Sequence, residues 1–151
     1  MIYEVEIDLP VAVPVVLPLI TDLAKYPLWM GLVHDVAPID DGGGHQVELR
    51  GKIGPFARSK RLRMVRVDDG NPLHIRFERQ ERDGREHGRW VLQAVIRDLA
   101  TRDTSMTHLS ITLHYEGRLW SAVVERVLAD EIDRSKDRLR NLVVAVDVDE
   151  Q

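Results

Sequence analysis

The sequence predicts an α+β fold, in which an antiparallel sheet of seven strands packs one face against a long C-terminal helix. Apolar and polar residues alternate through most of the chain, which is typical of strands with one buried face. The last segment, from Leu119 to about Val146, instead repeats its apolar residues with the period of a helix. The chain has 151 residues, which is the size of one domain, so we predict a single domain over residues 1–151.

The first elements follow from alternation and from proline positions. Met1 to Leu9 alternates apolar with acidic residues and is predicted as a half-buried strand. A short helix is predicted from Val11 to Leu17, because Pro14 is tolerated in a first helical turn. A second short helix is predicted from Leu19 to Ala24, ending before Tyr26-Pro27, since a residue that precedes proline avoids the helical region.

Six further strands are predicted between these helices and the C-terminal helix. They cover about 33–39, 46–50, 58–67, 73–78, 88–96 and 108–115. We expect a loop at 51–56, because Gly and Pro interrupt the alternation there, and a hairpin turn at 82–85, which contains Asp-Gly. The phase of the apolar residues slips between Met64 and Val65, which predicts a bulge.

The C-terminal helix is amphipathic, and at about 1.5 Å per residue it would be about 42 Å long. Its charged side carries Arg126, Asp130, Asp133, Asp137 and Arg140. Its apolar side carries Trp120, Val124, Leu128, Leu139 and Leu142. Two polar residues, Glu131 and Ser135, also project onto the apolar side, which favours a pocket over a simple core.

Composition excludes several classes of function. The net charge of −4 makes general attraction to nucleic acid unexpected. The chain has no cysteine, and its histidines lack helical metal-ligand spacing, so we predict neither a metal site nor a cofactor. The apolar stretch from Val11 to Ile20 is too short for a transmembrane segment and unlike a signal peptide, so a cytoplasmic location is predicted.

The run from Leu19 to Met30 combines an apolar pair, Asp22, Tyr26-Pro27 and Trp29. Together with Gly117-Arg118-Leu119 and the order of elements, it resembles the START/SRPBCC helix-grip superfamily, and most nearly its polyketide cyclase/dehydrase-like members. The resemblance implies a strongly bent seven-stranded sheet wrapped around the last helix, with two short helices after the first strand. It also implies a cavity between sheet and helix that binds a hydrophobic small molecule without a cofactor. It further implies that Trp29 supports the fold rather than acting in catalysis.

The candidate ligand-binding residues combine apolar lining with a few polar anchors. The apolar candidates are Trp29, Leu49, Phe56, Ile75, Phe77, Trp90, Leu92, Ile111, Leu113, Val124 and Leu128. The polar candidates are Glu131, Ser135 and Arg79, and Arg79 is in phase to pair with Glu131. Phe56 and Ile53 are expected on a loop that covers the pocket entrance.

Three functions remain open at this point. The first is binding or transport of a lipid, an isoprenoid or an aromatic polyketide, which requires a pocket of about 300 Å³ or more. The second is a cyclase or dehydratase with Glu131 as acid/base, the one candidate catalytic residue. The third is a protein-interaction module that uses the basic strand from Arg58 to Arg66, which we otherwise interpret as a solvated outer face. The oligomeric state and the identity of the ligand stay undetermined by the sequence.

Overall fold

The computed structural model describes residues 2–39, 43–53, 56–116 and 122–149, with side chains described except at 52–58, 122–125 and 127–128. In chain order this part contains β1 (Ile2–Leu9), α1 (Val13–Thr21), a 3-10 helix (Leu23–Leu28), β2 (Val33–Pro38), β3 (Gly44–Ile53), β4 (Phe56–Arg66), β5 (His74–Arg79), β6 (Trp90–Asp98), β7 (Thr107–Tyr115) and α2 (Ala122–Asp149).

The described strands form one antiparallel sheet in the order β1-β7-β6-β5-β4-β3-β2. The chain thus starts β1 at one edge, crosses to β2 at the other edge, and returns strand by strand to β7. The two helical segments after β1 provide this crossing. The predicted α+β helix-grip architecture, with seven antiparallel strands and a long C-terminal helix, is confirmed.

One face of the sheet, which we call the inner face, carries the core. Phe77, Leu92 and Leu113 are direct neighbours across β5, β6 and β7 on this face. Ile75 and Ile111 belong to the next such row, in which Ala94 lies between them. All of these residues are buried, and they belong to a single hydrophobic cluster that includes α1, the 3-10 helix and α2. Strict alternation therefore places every second residue of these strands against the helices.

The two short helical segments exist as predicted, but both end later. Helix α1 runs through Pro18 to Thr21, and the following 3-10 helix runs through Pro27 to Leu28. Burial explains the extension of α1, because Leu19 and Ile20 lie in its last turns and are part of the core. Packing of these side chains outweighs the single backbone hydrogen bond that a proline removes.

The predicted loop at 51–56 is wrong, because the hairpin of β3 and β4 continues to the pairing of Ile53 with Phe56. Apart from residues 54 and 55, which lie outside the described part, those positions belong to strands. The predicted bulge between Met64 and Val65 is also wrong, since the β3–β4 register is uninterrupted there. The register shift lies instead between Val33 and Asp35 in β2.

The predicted turn at 82–85 lies within a longer connection, residues 80–89, between β5 and β6. Gly84 has φ +72°, a conformation that favours glycine. The Asp83 carboxylate accepts a hydrogen bond from the Arg85 backbone at 3.0 Å and contacts His87 Nε2 at 2.8 Å. These local contacts stabilise an extended loop where Asp-Gly alone predicts a two-residue hairpin turn.

Helix α2 has the predicted length of about 42 Å. It begins at Ala122 and ends at Asp149, three residues beyond the predicted Val146. The predicted charged side is exposed, and Leu139 and Val143 on the opposite side are fully buried. Trp120 lies outside the described residues, as do the side chains of Val124 and Leu128.

Candidate ligand-binding site

The inner face and α2 together bury most of the predicted lining residues. Those that the structure describes as buried are Trp29, Leu49, Ile75, Phe77, Trp90, Leu92, Ile111 and Leu113. The side chains of Phe56, Val124 and Leu128 lie outside the described ones, so their predicted roles stay predictions. Phe56 itself begins β4 and does not lie in the loop that was predicted for it.

A small cavity lies between β1, β7, the segment after the 3-10 helix, and α2. Its volume is about 20 Å³, and three predicted site residues, Trp29, Ile111 and Ser135, contribute to its lining. Such a volume holds one water molecule and is far below the roughly 300 Å³ at which small-molecule sites begin. Ser135 is buried here, and its hydroxyl donates to the Glu131 carbonyl oxygen at 2.9 Å, one helical turn earlier.

The Glu131 carboxylate forms an ion pair on the surface of α2, outside the lining of that cavity. Arg138 Nη1 lies 2.6 Å from Glu131 Oε1, and Arg134 Nη1 lies 3.5 Å from Glu131 Oε2. The Glu131 side chain is 23% exposed. The pair covers Gly31, where an added Cβ would lie 1.8 Å from Glu131 Oε1. Glu131 therefore connects α2 to the segment that follows the 3-10 helix.

The expected pairing of Arg79 with Glu131 is wrong. Arg79 Nε donates to Glu81 Oε1 at 2.9 Å, and its Nη1 donates to the Gly88 carbonyl oxygen at 3.3 Å. The third nitrogen, Nη2, lies 3.2 Å from His87 Nδ1. Arg79 is on the inner face as predicted, but its guanidinium nitrogens contact the loop that follows β5.

The Tyr-Pro-X-Trp run has a structural role that the contacts explain. Tyr26 Oη donates to the Ile20 carbonyl oxygen at 2.8 Å, and Trp29 Nε1 donates to the Leu19 carbonyl oxygen at 3.2 Å. The two rings pack with their centroids 4.9 Å apart. Burial raises the pKa of the Tyr26 hydroxyl, and the positive charge of Arg66 partly opposes this. Both side chains therefore satisfy carbonyl groups at the end of α1.

Three aromatic side chains form a stacked series on the inner face, which we call the aromatic row: Tyr3, Tyr115 and Trp90. The Trp90 and Tyr115 centroids are 4.9 Å apart with the planes at 21°, and those of Tyr115 and Tyr3 are 6.1 Å apart at 15°. Trp90 is 2% exposed, and its indole nitrogen Nε1 has no hydrogen-bond partner in the described part of the chain. Sequence alternation predicts Trp90 on this face, but not the stacking.

The basic strand does not form one solvated outer face, which corrects the prediction. Lys60 shares the inner face with Leu49, and its Nζ lies 5.8 Å from the centroid of the Trp90 ring. Arg66 also lies on the inner face, with its guanidinium 5.9 Å from the Phe77 ring. Arg61 is exposed on the outer face, opposite Glu48.

Period-two alternation gives the physical reason for this division. Leu62 and Met64 are inner-face core residues, so Lys60 and Arg66, each two positions away, must point to the same side. The hydrophobic pattern of β4 contains this signal, but the density of basic residues obscures it. Burial, followed by the positive charge of Arg79, lowers the pKa of the Lys60 ammonium group, and Glu81 opposes this.

Two further findings concern metals and membranes. In residues 2–39, 43–53, 56–116 and 122–149, no group of three or more His, Asp or Glu side chains is arranged to hold a metal ion. No helix in this described part is long and apolar enough to cross a bilayer.

Comparison with family models identifies the chain. Residues 9–140 match the family described as polyketide cyclase/dehydrase and lipid transport. This match covers most of the sequence, so the protein belongs to that family, within the START/SRPBCC superfamily that the Tyr-Pro-X-Trp run predicted. A search of curated protein sequences found no significant match.

Solved structures of low sequence identity share the fold. A START superfamily protein from Mycobacterium smegmatis is 12% identical, with a TM-score of 0.65 and coverage of 96% of this chain and 98% of that one. The Zhui aromatase/cyclase from Streptomyces sp. R1128 is 15% identical, with a TM-score of 0.62 and coverage of 95% and 93%. A protein from Thermus thermophilus is 18% identical, with a TM-score of 0.65 and coverage of 96% and 98%. At these identities the likeness concerns the fold.

Proposed function

We propose that the protein binds or transports a hydrophobic small molecule between the inner face of its sheet and α2. The candidate ligands are a lipid, an isoprenoid and an aromatic polyketide. The single observation that carries this proposal is the aromatic row, which continues the apolar inner face toward the basic side chain of Lys60. Ligand sites characteristically combine such apolar and aromatic walls with a few polar groups.

The proposed binding region is the end of the inner face near Trp90 rather than the cavity beside Ser135. The volume of about 20 Å³ at Ser135 is too small for any of the three ligand classes. A ligand that entered there would have to separate Leu139 from the core, in which it is fully buried. At the other end, the Trp90 indole N–H has no acceptor among the described residues, and Lys60 contacts the ring face.

The test is thermal unfolding with one probe from each class: dodecanoic acid, farnesol and the aromatic polyketide emodin. A ligand present at about 100 times its Kd stabilises a protein by about 2.7 kcal/mol. For a chain of this size that corresponds to a rise in Tm of roughly 5–10 °C. Mass spectrometry of the purified protein should also detect a bound apolar compound. No shift with any probe, together with no co-purified compound, would contradict the proposal.

The cyclase or dehydratase alternative keeps Glu131 as acid/base. To act in this way, Glu131 must leave its ion pair with Arg138, which holds the carboxylate outside the cavity lining. The test is Glu131→Gln, which should abolish turnover of a polyketide substrate while ligand binding is kept. Unchanged turnover in this variant would eliminate Glu131 as the acid/base.

The protein-interaction alternative requires a positive outer face on β4. Arg61 is exposed there, but Arg63 is 7% exposed and donates through Nη1 to the Gln80 carbonyl oxygen at 2.8 Å. The available positive surface is therefore smaller than the sequence predicts. Small-molecule binding is the function we favour, and a cytoplasmic location remains a prediction beside it.

A further inference from the structure

We propose that the ligand is an organic acid: an apolar body that carries a carboxylate, with the carboxylate bound between the Lys60 ammonium group and the Trp90 indole N–H. This inference rests on the proposed function and makes it more specific, because it names the chemical class of the ligand and the two groups that recognise it. The site lies on the inner face, where β5 ends at Arg79 and β6 begins at Trp90.

The first argument is the unused donor of Trp90. The indole can only donate a hydrogen bond, and here its Nε1 is fully buried without an acceptor among the described residues. Leaving a buried donor unpaired costs free energy, so such groups are rare in native proteins and mark positions where an acceptor is expected. By contrast the indole of Trp29, which follows the 3-10 helix, donates to the Leu19 carbonyl oxygen at 3.2 Å.

The second argument is the ammonium group of Lys60. It makes no hydrogen bond and no ion pair with any residue of the described part, although it is half-buried beside the Trp90 ring. The ring face attracts the cation but accepts no conventional hydrogen bond. Lys60 is therefore a half-buried cation without an ion pair among the described residues. Burial and then the charge of Arg79 lower the pKa of its ammonium group, and Glu81 opposes this.

The third argument is the balance of charge around this end of the sheet. Among the described residues, Lys60, Arg66 and Arg79 are cations on the inner face, and Glu81 is the carboxylate that acts on Lys60 and pairs with Arg79. That carboxylate is already used, because its Oε1 accepts from Arg79 Nε at 2.9 Å and from the Arg63 backbone N–H at 3.0 Å. Within the described part of the chain, no ion pair therefore balances the charge of Lys60, and a singly charged ligand would neutralise it.

Geometry favours a carboxylate over a larger anion. Lys60 Nζ lies 5.8 Å from the centre of the ring that carries the Trp90 N–H. The indole N–H points outward in the plane of that ring, so one carboxylate would accept from both groups with one oxygen beside the ring edge and the other toward Lys60. A phosphate group would require more donors than these two, and Arg79 has its own three nitrogens in contact with Glu81, Gly88 and His87. The apolar body of the ligand would then lie along the aromatic row.

The test compares matched pairs of probes by isothermal titration calorimetry. Dodecanoate and dodecanol share an alkyl chain, and 2-naphthoate and 2-naphthalenemethanol share an aromatic body; only the first member of each pair carries a carboxylate. At least one acid should bind about tenfold or more tightly than its alcohol, as charge-assisted hydrogen bonds imply. Which pair binds better distinguishes an alkyl acid from an aromatic acid.

Two variants test which side chains cause the preference for the acid over the alcohol, and a third variant is the control. Lys60→Met keeps the length of the side chain and should remove the preference for the acid, with binding of the alcohol kept. Trp90→Phe keeps a ring and removes the N–H, and should weaken acid binding several-fold. Arg61→Met, at the next position and exposed on the outer face, should leave acid and alcohol binding unchanged.

Each outcome has a defined meaning. Equal affinity for acid and alcohol overturns this inference and leaves the proposed function standing, whereas no binding of any probe contradicts the proposed function itself. An acid preference that Lys60→Met retains also overturns the inference. If Trp90→Phe binds the acid as tightly as the parent protein, the indole N–H is satisfied by water and the proposed contact is wrong. Movement of the Trp90 indole N–H resonance with the acid alone supports the contact directly.

Discussion

Trp29 and its neighbour Leu28 differ sharply in burial, and this difference tests the structural role of Trp29. Trp29 is 2% exposed and Leu28 is 60% exposed. We expect Trp29→Ala to lower the free energy of unfolding by about 3–5 kcal/mol, because it removes a large core side chain. Leu28→Ala, the matched control, should change it by less than about 0.5 kcal/mol. Urea denaturation measures both, and similar values for the two variants would contradict the structural role.

The buried hydroxyl of Tyr26 predicts how the stability of the protein depends on pH in alkaline solution. Its pKa is raised in the folded state, while in the unfolded chain it is about 10. Above about pH 10 the unfolded state loses a proton that the folded state keeps, so Tyr26 lowers stability by up to about 1.4 kcal/mol for each pH unit. Below that pH both states keep the proton and the effect is absent.

Tyr26→Phe removes this titration together with the hydrogen bond to the Ile20 carbonyl oxygen. At pH 8 the variant should be about 1 kcal/mol less stable than the parent protein. That difference should shrink as the pH rises from about 10 to about 11, because only the parent loses stability through residue 26. Denaturation curves across this range are the measurement, and a constant difference would show that the Tyr26 hydroxyl titrates normally.

At the residue scale, burial could be predicted from the sequence better than contacts could. The positions of Phe77, Leu92 and Leu113 follow from alternation alone, and all three are buried. The helical period places Glu131 on the apolar side of α2, but it gives no information about the ion pair with Arg138 that holds the carboxylate partly exposed. The unpaired indole N–H of Trp90 depends on the absence of an acceptor in three dimensions among the described residues, which no pattern in the chain records.

At the scale of elements, α2 is joined to the segment after the 3-10 helix by the contact of Glu131 and Arg138 with Gly31. An added Cβ at Gly31 would lie 1.8 Å from Glu131 Oε1 and 2.3 Å from Arg138 Nη1, so the pair must move in Gly31→Ala. Both clashing atoms are ends of flexible side chains. We therefore expect a cost of about 1 kcal/mol at most, the value of a partly exposed ion pair.

A double-mutant cycle isolates this contact. In a Glu131→Ala background the ion pair is absent, and Gly31→Ala should cost nothing or slightly stabilise the protein, since alanine restricts the unfolded chain. The two substitutions should thus be coupled by about 0.5 kcal/mol or more, measured by urea denaturation. Additive effects, with coupling below about 0.3 kcal/mol, would show that Glu131 does not contact Gly31.

The sequence predicts which helices and strands exist more reliably than it predicts the residues at which they end. The β3–β4 hairpin continues through Gly51, because backbone pairing with Arg58 tolerates a glycine between two strongly paired segments. Helix α1 continues through Pro18, because the core needs Leu19 and Ile20 in helical positions. Tertiary packing decides these boundaries, and a single chain does not reveal it in advance.

At the scale of the whole molecule, the fold places two different environments along one inner face. Near Ser135, α2 packs so tightly on β1 and β7 that about 20 Å³ remains. Near Trp90, the inner face carries stacked aromatic rings and, within the described part of the chain, a lysine ammonium group without an ion pair and an indole N–H without an acceptor. The first environment stabilises the packing of the sheet on the helix, and the second is the one that we propose for recognition.

The predicted single domain over residues 1–151 makes a final prediction about cooperativity. The described core is one cluster that includes Trp29, Trp90 and Leu139, so the sheet and α2 should unfold together in urea. Tryptophan fluorescence and helical circular dichroism should give the same midpoint. Leu139→Ala should shift both midpoints equally and cost about 2–5 kcal/mol, because Leu139 is fully buried, whereas Arg140→Ala, exposed beside it, should shift neither. A shift of the dichroism midpoint alone would mean that α2 unfolds independently, and that the sheet persists without the helix it surrounds.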